Sequence, residues 1–202
     1  MSREKDAFDG QIDSLRVLTG IYREVNPLGK FENAEHVLRS EWVLMVSAFD
    51  SYLHRIVHRK LTAMFFSGQF VRDSLNMKVN EFQNILLETD AEEQRALFET
   101  ALRKRLAEDS FQSPKSVEYV MGLIQVRNFW KRVSSQMDAV PDDVRKRLAL
   151  IVHRRNCIAH ESDIDPSTQD LRQITVEDVE SCRDFLAKLV ECVDSLIEIG
   201  GE

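Results

Sequence analysis

The sequence predicts an all-α fold, and three observations carry that expectation. Seven Gly and four Pro in 202 residues leave little punctuation for the many turns of a β or open α/β chain. Helix-favouring Leu, Glu, Arg, Lys and Ala are abundant. Apolar residues recur at three- and four-residue spacing over long stretches, the period that turns one helix face to a core. A single domain over 1–202 is expected at this length, with 67–140 read as a helical insertion within it.

The elements follow in order. From about Arg3 to Val25, Phe8, Ile12, Leu15, Leu18 and Tyr22 keep the helical period, and Asn26-Pro27-Leu28-Gly29 stops it. A long second helix runs from about Glu32 to Phe66, with Trp42, Val46, Phe49, Leu53 and Ile56 as its stripe and Gly68 at its end. Shorter helices are expected over Val79–Leu87 and Ala91–Ala107. Another follows Ser113-Pro114, where Pro suits a first turn, and a further break is expected around Ser134–Pro141. Pro141-Asp142-Asp143 opens a helix toward His160, with acids well placed against the helix dipole. Asp163-Ile164-Asp165-Pro166-Ser167-Thr168 reads as a loop. Thr175 with Asp178 three residues on caps a last helix to about Ile199.

Other classes are argued against. The N-terminus Met1-Ser2-Arg3-Glu4-Lys5-Asp6 is charged where a secretory signal needs an apolar core, and no apolar run approaches ~18 residues. Three cysteines (Cys157, Cys182, Cys192) without a CxxC pair read as reduced thiols of a cytoplasmic protein. No Gly-rich phosphate loop is present. Asp50, His54 and His58 stand at i, i+4 and i+8, but no HExxH or second ligand cluster accompanies them, so no metal and no cofactor is expected. Cys157 is set aside as a nucleophile. Phe129 and Trp130 are expected in the core.

The net charge of −7 argues against nucleic acid until its distribution is considered. Glu161 to Glu202 carries twelve Asp or Glu against three Lys or Arg, a local −9 that leaves the other 160 residues at +2. Lys131, Arg132, Arg145, Lys146, Arg147 and Arg154 form a candidate basic surface for RNA. The acidic C-terminal stretch is a candidate cover for it.

One residue breaks the pattern. At 100° per residue, Val144, Leu148, Ile151 and Ile158 form one stripe, and Arg155 falls inside it. A guanidinium on an apolar face needs an acid or a phosphate. Asp50, at the edge of the stripe of the second helix, is the acid the sequence offers. A structural ion pair and a functional site are both open on this reading.

Arg155-Asn156-x-x-x-His160, at the end of a helix in an all-α chain, resembles the Rx4–6H motif of the HEPN superfamily, where a polar residue directly follows the Arg. Ala48-Phe49-Asp50-Ser51-Tyr52-Leu53 on the second helix is similar to the matching helix of standalone prokaryotic HEPN proteins of the RiboL-PSP-HEPN branch. The resemblance covers residues 38–58 and 144–162 and implies a HEPN-like helical bundle. It also implies metal-independent RNA cleavage by attack of a ribose 2′-OH on the adjacent phosphate.

His160 would then exchange the proton, and Arg155 would hold the phosphate. Asn156 would orient either, with Asp50 in support. In an ideal helix Arg155 and His160 lie ~140° apart. The family answers this by dimerising, so a homodimer with a composite site is implied. RNA, and an antitoxin or defence-system partner protein, are the expected partners, in a toxin–antitoxin or phage-defence setting. The alternatives are a non-catalytic HEPN module that binds nucleotide, RNA or protein, and a purely structural helical dimer.

Overall fold

The computed structural model describes residues 1–29, 32–69, 75 and 77–199. Its helices are α1 (Arg3–Val25), α2 (His36–Phe66), α3 (Val79–Leu87), α4 (Ala91–Leu106), α5 (Pro114–Leu123), α6 (Phe129–Gln136), α7 (Pro141–His160) and α8 (Val176–Ile199). A 3₁₀ turn over Asn26–Leu28 follows α1. Among the described residues the only extended pairing is one antiparallel bridge between Ile164 and Leu171. The all-α expectation holds.

Local signals account for most boundaries. The Ser2 hydroxyl accepts from the Lys5 amide and caps α1. Gly29 takes φ 58° behind the 3₁₀ turn, a left-handed conformation that a glycine adopts without steric cost. Ser113 and Ser116 satisfy each other's amides as a capping box, with Pro114 in the first turn of α5. The Thr175 hydroxyl accepts from the Asp178 amide, and the Asp178 carboxylate accepts from the Thr175 amide.

Two boundaries differ from expectation. α2 begins at His36 rather than near Glu32, because Asn33 sits at φ 59° in the left-handed region. Between Pro114 and the break expected around Ser134–Pro141 the chain forms two helices, one of them not foreseen. Gln125 at φ 63° and Asn128 at φ 53° interrupt it, and the chain restarts as α6.

α1 and α2 form a hairpin, and α7 and α8 pack against α2 to complete a four-helix centre. α2 is the axis of the core, with Leu38, Met45, Phe49, Leu53 and Ile56 fully buried. Truncating a ring such as Phe49 to Ala would cost about 3–5 kcal/mol. α4 docks on α2 through Phe98, whose ring stacks on Phe65 with centroids 4.0 Å apart. α6 packs on α7 and α8, with Phe129 and Trp130 buried as the sequence suggested. The buried cluster runs without interruption from Phe8 to Ile197 and includes Leu75, Phe98 and Val117 from the 67–140 stretch.

The acidic C-terminal stretch is not a cover. Residues 176–199 form α8, which buries Val179, Cys182, Leu186, Leu189, Val190 and Val193. Two of its acids are structural. Asp194 is buried and accepts from the Ser2 amide at 3.0 Å. Asp163 is fully buried before α8 begins. Periodicity explains the misreading: apart from Asp194, the acids of α8 line the outer face of a helix whose inner face is apolar.

Candidate functional site

α7 carries the Arg155-Asn156-x-x-x-His160 string on its last turns. Val144, Leu148 and Ile151 are buried as the stripe requires, Ile158 is half-buried, and Arg155 lies half-buried among them. Trp42 of α2 donates its indole N–H to the Ile151 carbonyl at 3.1 Å, fixing α7 against α2 one turn before Arg155. Arg155 Nη1 donates to Asn156 Oδ1 at 3.1 Å. Arg155 Nε is shut off from solvent and, among the described residues, has no hydrogen-bond partner. Such a donor is costly to leave unmade. His160 is exposed, and among the described residues its ring makes no hydrogen bond or ion pair.

A buried polar clamp holds the end of α7. Asp163, at φ 58°, donates its amide to the Cys157 carbonyl at 2.9 Å. Its Oδ2 accepts from Arg39 Nε and Arg154 Nη2, each at 2.8 Å. Arg39 also donates to the Arg172 carbonyl, and Arg154 donates to the Gln173 carbonyl at 2.9 Å. The loop leaving His160 is thereby tied to the first turn of α2. Burial draws the Arg154 guanidinium below its ordinary pKa, against the opposing pull of Asp163.

Arg39 and Asp163 were not singled out from the sequence, yet a signal existed. Arg39 stands three residues before Trp42 on the same stripe of α2, the same anomaly that exposed Arg155. A second buried pair, Glu41 of α2 with Arg183 of α8, was also passed over; Thr19 of α1 completes it, donating to Glu41 at 2.6 Å.

Asp50 does not meet Arg155. Its Oδ1 accepts from the Phe111 amide at 2.6 Å and the Ser110 hydroxyl at 3.3 Å, and its Oδ2 lies 3.8 Å from His54. The reason is axial. Arg39 faces the C-terminal end of α7 and Trp42 faces Ile151, so the two helices run antiparallel. Asp50 and Arg155 therefore lie in opposite directions from the Trp42 contact, roughly 18 Å apart along the axis at 1.5 Å per residue.

The model of one family, RiboL-PSP-HEPN, matches residues 12–198, from the first helix to the end of the last. The chain belongs to the RiboL-PSP-HEPN family. Neither the curated proteins nor the solved structures gave a significant match.

In this HEPN protein the candidate RNA-binding cations have different surroundings. Arg154 is engaged with Asp163. Arg145 lies 3.6 Å from Glu118. The Arg147 guanidinium sits 5.5 Å from the Phe185 ring centre and donates to Ser181. Arg132 lines a cavity of about 330 Å³ shared with Lys60 and Gln125. Lys131 and Lys146 are exposed, and among the described residues their side chains have no acidic partner. Lys146 is nine residues from Arg155, about 180° around α7.

The HEPN bundle holds no group of three or more His, Cys, Asp or Glu placed to take a metal ion among the described residues. Asp50 and His58 have protein partners instead, the latter through the Glu99 carbonyl at 3.2 Å from its Nε2, and His54 stacks on Phe111. Cys157 is buried, with its Sγ 3.6 Å from His153 Nε2. No helix among the described residues is long and apolar enough to cross a membrane.

Proposed function

We propose that this HEPN protein is a metal-independent endoribonuclease that cleaves single-stranded RNA by 2′-OH attack and leaves 2′,3′-cyclic phosphate ends. One observation supports this most directly. Arg155, half-buried and held by Asn156, stands about one and a half turns from an exposed His160 on a helix end that Asp163 clamps. A half-buried guanidinium with no acid beside it among the described residues suits a phosphate oxygen at its outer nitrogens, and can answer the charge that builds on the pentacoordinate phosphorus. His160 would take the 2′-OH proton or return one to the leaving 5′-oxygen.

The two groups diverge around α7. We therefore place the working site across a homodimer, with His160 of one copy and Arg155 of the other on the same phosphate. A toxin or defence role with a restraining partner protein fits an RNA-cleaving site of this kind. Incubating purified protein with single-stranded RNA in EDTA tests the reading. Cleavage to cyclic phosphate ends is expected, lost by at least ~100-fold in His160→Ala and Arg155→Ala variants that remain folded by circular dichroism. Activity that needs a divalent ion, or survives His160→Ala, refutes it.

One observation favours a second reading, a non-catalytic module that binds RNA, nucleotide or protein. Asn156 is turned to Arg155, and among the described residues nothing orients the His160 ring. RNA binding without turnover, unchanged by His160→Ala, would select this second reading.

A further inference from the structure

The chain is acidic overall, yet one concave surface collects arginine. His54, Arg55, His58 and Arg59 occupy two successive turns on one side of α2. With Arg3 from the first turn of α1 and Arg103 from the last turns of α4 they line a cavity of about 610 Å³. That size falls within the ~300–1,000 Å³ typical of small-molecule sites. Among the described residues Glu4 is the one acid in the lining, and it lies 3.2 Å from Arg59, which also donates to Glu198. Arg3, Arg55 and Arg103 have no hydrogen bond or ion pair among the described residues.

Three uncompensated guanidinium groups around one concavity repel one another and focus a positive potential. An anion with several charged oxygens removes the repulsion and matches the planar fork of arginine. The histidines are already held, His54 by stacking on Phe111 at 4.2 Å and His58 at the Glu99 carbonyl, so the wall is partly preformed. Ala7 and Leu106 add an apolar floor. The cavity is also remote from the α7 motif. Arg55 lies roughly 20 Å along α2 from Trp42, on the side away from Arg155.

We propose that this cavity binds a small molecule bearing a chain of two or three phosphates, at a site separate from the α7 motif. Three cations spread over three helices fit a polyphosphate better than a single phosphate. The ligand would bridge α1, α2 and α4, and so join the central bundle to the α3–α4 region.

Calorimetric titration of the whole protein in EDTA at ~0.1 M salt, with inorganic tripolyphosphate and separately with ATP, tests the proposal. One saturable site per chain is expected. Tighter binding of ATP would mean that the cavity also reads a nucleoside, and equal binding that it reads the phosphates alone; either outcome supports the site. The variant R55Q/R103Q should bind at least tenfold more weakly, while K131Q/K146Q and His160→Ala keep wild-type affinity. Arg55 and Arg103 are exposed, so unchanged melting of the first variant confirms that it folds. Absence of saturable binding by ~1 mM, or equal affinity in R55Q/R103Q, overturns the proposal. So does a short RNA that binds more tightly than tripolyphosphate and loses affinity in the same variant, since the surface would then belong to RNA. Because His160→Ala retains the site, failure here and failure of the ribonuclease reading are separable.

Discussion

Replacing Asp163 by Asn should unfold this protein more readily than any change to the motif beside it. The carboxylate is fully buried and receives two guanidinium hydrogen bonds at 2.8 Å, from Arg39 and Arg154. Arg39 is itself 4% exposed, and among the described residues its Nη1 has no hydrogen-bond partner. Asn keeps the shape and tolerates the left-handed backbone at φ 58°, so the substitution isolates the charge. Losing one partner of a buried pair costs about 3–5 kcal/mol, because the remaining charge stays desolvated. Arg154 is partly solvated and contributes less, which favours the lower half of that range.

At roughly 2–4 °C per kcal/mol for a chain of this size, the midpoint should fall by about 10 °C. Thermal and urea melts followed by circular dichroism measure it. The double variant D163N/R39M should recover much of the loss, since removing a buried pair whole is far less costly than halving it. A D163N protein that melts within ~2 °C of wild type would refute the clamp as a stabilising element.

Two further outcomes follow from the same packing. Asp50→Ala should cost about 1–2 kcal/mol through the lost bonds to the Phe111 amide and Ser110, yet leave the proposed RNA cleavage within ~2-fold, because Asp50 does not reach Arg155; a melt and a cleavage assay on one preparation check both halves. All three cysteines are buried, so native protein at pH 8 should show no fast thiol toward a disulfide reagent and three once unfolded. Burial pushes the Cys182 thiol up from 9.0 to about 12, and burial also raises the Tyr52 phenol. Both groups are held neutral by the fold. Their contribution is complete below pH 9 and declines as the pH rises from 9 toward 12, which urea melts at pH 8 and pH 10.5 would reveal as a lower midpoint at the higher pH.

Much of the fold was readable because its signals are local. Ser113-Pro114, Pro141 and the Thr175–Asp178 pair fix helix starts from neighbouring residues alone. The break between α5 and α6 was not readable, because its left-handed residues are Gln125 and Asn128 rather than glycine. The motif was readable for the same local reason, six consecutive residues on one helix. Its surroundings were not. Arg39 and Asp163 are 124 residues apart, and Glu41 and Arg183 are 142 apart. Helical periodicity assigns an angle to each residue but neither a height along the axis nor a direction to its neighbour. Asp50 thus passed the angular test for a partner of Arg155 and failed the axial one.

The buried bond between Ser2 and Asp194 has a consequence for the order of events during synthesis. The cap of the first helix and an anchor near the end of the last are one contact, 192 residues apart. α7 leaves the ribosome before α8, while the apolar face that α8 will cover is still open. Because helices of one core fold as a unit, the nascent chain carries its Arg155 and His160 in an unassembled bundle until α8 arrives. Emergence of α8 then assembles the bundle, so a chain cut before α8 would carry the motif without a structure to display it.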